Sequence, residues 1–166
     1  MKRILFVDDE PLILEGLQNL LRKNRRKWDM SFAVGGEAAL ALLQTQSFDV
    51  LVSDMRMPGV DGAQLLRYVK DHHPKTVRII LSGHMELKVA LQAVPVAHQF
   101  LSKPCDALEL ENVVERACGV QALLNDDAGS LREAIGRIDR LPSAPRTSHA
   151  LMPALADDPS GLDDIA

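Results

Sequence analysis

Residues 4–14 read ILFVDDEPLIL. An apolar run, Ile4 to Val7, stops at three acids, Asp8, Asp9 and Glu10, and a proline then opens a second apolar pattern. So short a run, ended so abruptly, reads as a buried strand. Pro11 suits the first turn of a helix, where its missing N–H costs nothing. Adjacent carboxylates at a strand tip repel one another, so a cation is expected beside them.

The same alternation repeats along the chain. Strands are expected over Arg3–Asp8, Trp28–Val34, Asp49–Asp54, Val77–Ser82 and His98–Lys103. Helix-period segments fall between them, at Pro11–Arg25, Gly36–Gln46, Asp61–His73 and Glu86–Val94. A long helix starts at Asp106, with Glu109 in the place a capping box needs, and has room to continue past Gly119 to Leu124. The pattern is (βα)₅: an α/β fold with a doubly wound, parallel five-stranded sheet covered on both faces and right-handed crossovers. Ligands of such open sheets bind outside the carboxyl ends of the strands.

At 166 residues there is room for one ordinary domain plus a tail or part of a second. Apolar residues make up 46% and charged residues 25%, the balance of a soluble globular protein; with 4% aromatics the core must be aliphatic. A net charge of −4 gives no support to non-specific nucleic-acid binding, and no direct nucleic-acid contact is expected. The basic run Arg22–Lys27 reads as the solvated end of a helix, with a phosphate-binding patch as the alternative. Met1-Lys2-Arg3 leads into too few apolar residues for a signal peptide, and no run approaches the roughly 20 residues of a membrane span. Cys105 and Cys118 lack metal-ligand spacing and read as packing thiols of a reduced, cytoplasmic protein. His72, His73, His98 and His149 form no metal set.

The strand ends carry the chemistry. The first strand ends in Asp8 and Asp9, the third in Asp54, the fourth in Ser82, and the fifth in Lys103, followed by Pro104. A single aspartate closing a strand is ordinarily a helix cap. Three carboxylates, a hydroxyl and an ammonium from four strands on one rim are hard to explain as caps. Oxygen ligands without Cys or His suit Mg²⁺. A carboxylate can attack phosphorus to give an aspartyl phosphate. Phosphoryl transfer then needs cations on the equatorial oxygens more than covalent help. Lys103 and the metal would supply that charge, and Ser82 a hydrogen bond.

These residues resemble a known family. VDDE (7–10), SDMRMPGVDG (53–62), LSG (81–83) and FLSKP (100–104) look like the response-regulator receiver domain of two-component signalling, over about residues 1–120. The resemblance implies the flavodoxin-like strand order 2-1-3-4-5. It implies that Asp54 accepts a phosphoryl group from a sensor histidine kinase. It places Mg²⁺ on Asp9 directly, on Asp8 largely through water, on Asp54 and on the backbone carbonyl of Arg56. Lys103 would be the catalytic lysine, Pro104 its follower after a cis bond, and Ser82 the switch hydroxyl. Phe100 would be the switch aromatic, or simply core. Arg56 and His84 would tune phosphate lifetime, or be plain surface residues. A homodimer through the fourth helix, fifth strand and fifth helix is a further possibility that the family raises. No action on an external substrate is implied beyond self-phosphorylation and self-dephosphorylation. Haloacid-dehalogenase-like phosphatases are the enzyme alternative, but they carry DxD after the first strand, where this chain has adjacent acids. A constitutive module of the same fold, never phosphorylated, is the third reading.

Periodicity fades at residues 121–130 (QALLNDDAGS), which read as a linker. Residues 131–166 read as a helical extension. The segments IDRLPSAP and LMPALADDPSGLDDIA within it resemble the incomplete start of an HDOD domain, a helical output domain related to the HD phosphohydrolases but generally without their metal ligands. No HD pair appears in it, and a disordered tail is the alternative.

Overall fold

Successive residues of the first apolar run face opposite ways. Ile4 and Phe6 join one core cluster, Leu5 and Val7 the other. The same sorting splits Val50 and Val52 from Leu51, and Ile79 and Leu81 from Ile80. A strand with period-two side chains and apolar residues on both faces must be covered twice. A computed structural model of the chain describes residues 1–83 and 96–125 and shows how.

Strands β1 (Lys2–Asp8), β2 (Trp28–Val34), β3 (Val50–Asp54), β4 (Val77–Gly83) and β5 (Gln99–Lys103) form one sheet. All pairings are parallel, in the order β2-β1-β3-β4-β5. Helices α1 (Pro11–Leu20) and α4 (Ala107–Asn125) bring Leu14, Leu110, Val113, Val114 and Ala117 to one face. Helices α2 (Gly36–Thr45) and α3 (Gly62–His72) bring Ala39, Leu43, Leu65, Leu66 and Val69 to the other. This is the expected flavodoxin-like receiver fold. No described helix is long and apolar enough to cross a membrane.

Helix starts follow local chemistry. Pro11 opens α1. Asp61 caps α3 by accepting from Gln64 N at 2.8 Å, while Gln64 Oε1 accepts from Asp61 N at 3.1 Å, a complete capping box. Asp106 accepts from Glu109 N at 2.7 Å ahead of α4.

Two boundaries differ from expectation. The helix expected over Pro11–Arg25 stops at Leu20, and Arg22–Arg26 forms a 3₁₀ turn. Leu21 and Asn24 are buried, and Asn24 N donates to Leu21 O at 2.8 Å, the tighter bond of a 3₁₀ helix. The turn feeds Trp28 into register beside Lys2. The basic run is therefore a turn, and it faces acids: Lys23 lies 2.9 Å from Glu111 and Lys27 3.2 Å from Glu115, both on α4. At the other boundary, α4 runs through Asn125, so the continuation expected past Gly119 holds and residues 121–125 belong to the helix rather than to a linker. Val120 packs into the core and buried Gln121 accepts from Lys2 Nζ at 2.5 Å, so the helix has partners past Gly119. The helix expected at Glu86–Val94, His84, and everything from 126 onward lie outside the described residues.

Candidate functional site

Three strand tips meet around one ammonium. Lys103, the last residue of β5, donates from Nζ to Asp8 Oδ2 at 2.7 Å and to Asp54 Oδ1 at 2.8 Å. Asp8 ends β1 and is 2% exposed; Asp54 ends β3 and is 7% exposed. Carboxylates so buried need a charged partner. Burial pulls the Lys103 ammonium down, but its hydrogen bonds to Asp54 and Asp8 and their charges outweigh that, leaving its pKa above the ordinary lysine value.

Asp9 is more exposed than Asp8, yet carboxylate oxygens of Asp8, Asp9 and Asp54 lie within 4.8 Å of one another. Three carboxylates against one ammonium leave this group of four residues negative. The donors are all oxygen, one of them on a partly open side chain. That set fits Mg²⁺, which takes a few carboxylates and keeps waters.

The backbone holds the tips in place. Asp8 Oδ1 accepts from Glu10 N at 3.0 Å, and its carbonyl accepts from Gly35 N at 3.0 Å. The Ser53 hydroxyl donates to the Asp54 carbonyl at 2.9 Å. Gly62 passes so close that a Cβ there would lie 2.2 Å from that same carbonyl oxygen. Gly62 N donates to Met55 O at 3.0 Å, closing the loop after Asp54.

The remaining expected residues are placed as follows. Ser82 is buried near the end of β4; the register sets Leu81 beside Asp54 and Gly83 beside Lys103, so Ser82 stands between those pairs. Phe100 is half-buried and packs against the α2–α3 core cluster. Arg56 lies in the loop after Asp54 with an exposed side chain. The Lys103–Pro104 bond is cis. Cys105 is half-buried; Cys118 is buried, which pushes its thiol up to about 11, as a packing residue should behave.

The model of the response regulator receiver domain matches residues 4–115. The chain belongs to the response regulator receiver domain family. This receiver domain is 36% identical over 117 residues to the response regulator protein PilR of Pseudomonas aeruginosa, covering 70% of this chain and 26% of that one. It thus spans about a quarter of that relative's length. Among solved structures, it is similar to the signal receiver domain of an HD domain-containing protein from Pseudomonas fluorescens. The TM-score is 0.68 at 33% identity, over 73% of this chain and 97% of the other. It is also similar to the response regulator TrrA of Thermotoga maritima, solved with Mg²⁺ and BeF. There the TM-score is 0.63 at 28% identity, over 70% and 99%.

Two contributors escape a reading of the sequence. Gly62 is legible only as a helix start, not as the residue that lets α3 approach the Asp54 backbone. Glu37 accepts from Val60 N at 3.1 Å across the site's flank, and nothing in GGE (35–37) announces a bond to a loop 23 residues on.

Proposed function

We propose that this receiver domain accepts a phosphoryl group on Asp54 from a sensor histidine kinase, and that phosphorylation switches its contacts with an output region or a second copy. The observation that supports this most directly is the Lys103 ammonium held between Asp8 and Asp54, with Asp9 in reach of both acids.

Asp8, Asp9, Asp54 and the Arg56 carbonyl would hold Mg²⁺. When bound, the metal neutralises charge on the phosphoryl oxygens and on the acids that face them. An Asp54 carboxylate oxygen forms the new bond to phosphorus; the P–N bond of the donor's phosphohistidine breaks, and the imidazole nitrogen keeps the electron pair and takes a proton. Lys103 stays beside Asp54 and pairs with the incoming charge. The phosphorylated side chain gains about −1.5 to −2 charges and three acceptor oxygens. Ser82 donates to one of those oxygens and Phe100 repacks in response, biasing the surface of β5 and its neighbours. Homodimerisation through the helix expected at Glu86–Val94, β5 and α4 would use that surface.

The chain would act on no external substrate, being limited to taking up and losing its own phosphoryl group, in the cytoplasm. Residues 131–166 would begin an HDOD-like output region; the similar receiver domain from Pseudomonas fluorescens, which comes from an HD domain-containing protein, makes such a pairing reasonable.

Beryllofluoride, a stable phosphoryl mimic, tests the site. Fluorine NMR should show a bound species that requires both Mg²⁺ and Asp54 and is lost in Asp54→Asn. A bound signal that survives that substitution would contradict the assignment of the acceptor.

A further inference from the structure

The loop between β3 and α3 carries the Arg56 carbonyl, and it leans on the start of α2. A Cβ on Gly36 would lie 2.2 Å from the Val60 carbonyl oxygen; one on Gly59 would lie 2.1 Å from Glu37 Oε1. Gly59 has φ +74°, in the left-handed region that favours glycine. These glycines let the two segments touch, and Glu37 Oε1 accepts from Val60 N at 3.1 Å where they meet. An acid in the first turn of a helix ordinarily serves that helix's own amides and dipole. Here the cap of α2 makes no side-chain hydrogen bond, and Glu37 bonds an amide 23 residues away.

We propose that Glu37 is a positioning residue of the cation site: it fixes the Met55–Val60 loop through the Val60 amide, and so sets how well the Arg56 carbonyl supports Mg²⁺. The inference rests on reading the acidic cluster as a divalent-cation site. One end of the loop is tied by Gly62 N to Met55 O at 3.0 Å, and Met57 is anchored by burial at 6% exposure. Glu37 ties the other end. Without it, residues 56–60 sample more conformers, and the carbonyl must be ordered when the cation binds. Glutamine at 37 keeps an acceptor oxygen and loses the charge, whereas alanine loses both, so the two variants separate a hydrogen-bond tie from a long-range charge.

Calorimetric titration of the full chain with Mg²⁺ alone tests this, for wild type, Glu37→Ala and Glu37→Gln. Amide exchange at Val60 and the thermal midpoint are measured beside it. In Glu37→Ala, Val60 exchange should speed up about tenfold and the Mg²⁺ dissociation constant should rise about tenfold. Glu37→Gln should stay within about twofold of wild type on both, and the Glu37→Ala midpoint should fall by no more than the few degrees that one exposed hydrogen bond is worth. Unchanged Mg²⁺ affinity in Glu37→Ala, or equal weakening in both variants, overturns the proposal. A wild type that takes up no Mg²⁺ overturns the cation site itself; a wild type and Glu37→Ala that bind equally remove only Glu37.

Discussion

Lys103 is at once partner and competitor to a divalent cation, because its ammonium already sits on two of the acids that would bind one. Lys103→Met should therefore tighten Mg²⁺ binding, by roughly three- to tenfold from lost charge repulsion at a few ångströms. The same change should weaken retention of beryllofluoride by at least about tenfold, since a cation that faces the developing charge is gone. Equilibrium dialysis reads the first and fluorine NMR the second. That the five strand-end residues belong together is legible in the sequence, because a βα alternation fixes which end of each strand faces the crevice. Which acid the lysine takes is not. Asp8 ends β1 and Asp9 follows it in the loop, and only the folded sheet shows that it is Asp8 that meets Lys103.

Glycines separate the elements built for stability from those built around the site. Gly16 in α1 and Gly119 in α4 have nothing within 4 Å of an added Cβ. Gly16→Ala and Gly119→Ala should each stabilise the domain by about 0.5–1 kcal/mol, since alanine is the better helix former. Gly62 at the start of α3 has no such room, so Gly62→Ala should cost about 1–3 kcal/mol as α3 is pushed off the Asp54 backbone. Urea unfolding of the three variants checks both signs. At this scale the strands and α2, α3 and α4 are legible from their periods and caps. The end of α1 is not, because Leu17, Leu20 and Leu21 keep a helical spacing into the turn. What breaks the helix there is the burial of Asn24 and the route back to β2, which only tertiary packing decides.

Among the described residues, the half-buried His98 lies at the end of the sheet away from the acids. His98 Nδ1 accepts from Arg78 N at 2.9 Å, and the Arg78 guanidinium lies 3.0 Å from Nε2. Burial, and then the charge of Arg78, lower its pKa to about 4. Between about pH 4 and 6.5 the unfolded chain holds a proton that the folded one refuses, so stability is full above that window and falls as pH drops through it. The loss should amount to on the order of 2–3 kcal/mol by pH 4. Urea midpoints for wild type and His98→Asn should converge toward acid; parallel curves would contradict it. The proposed uptake of a phosphoryl group by Asp54 has a direct test. We would incubate the full chain with Mg²⁺ and acetyl phosphate and compare its intact mass with that of Asp54→Asn. The account predicts a phosphate-sized gain that needs Mg²⁺ and is absent from the variant. An equal gain in both proteins would contradict it.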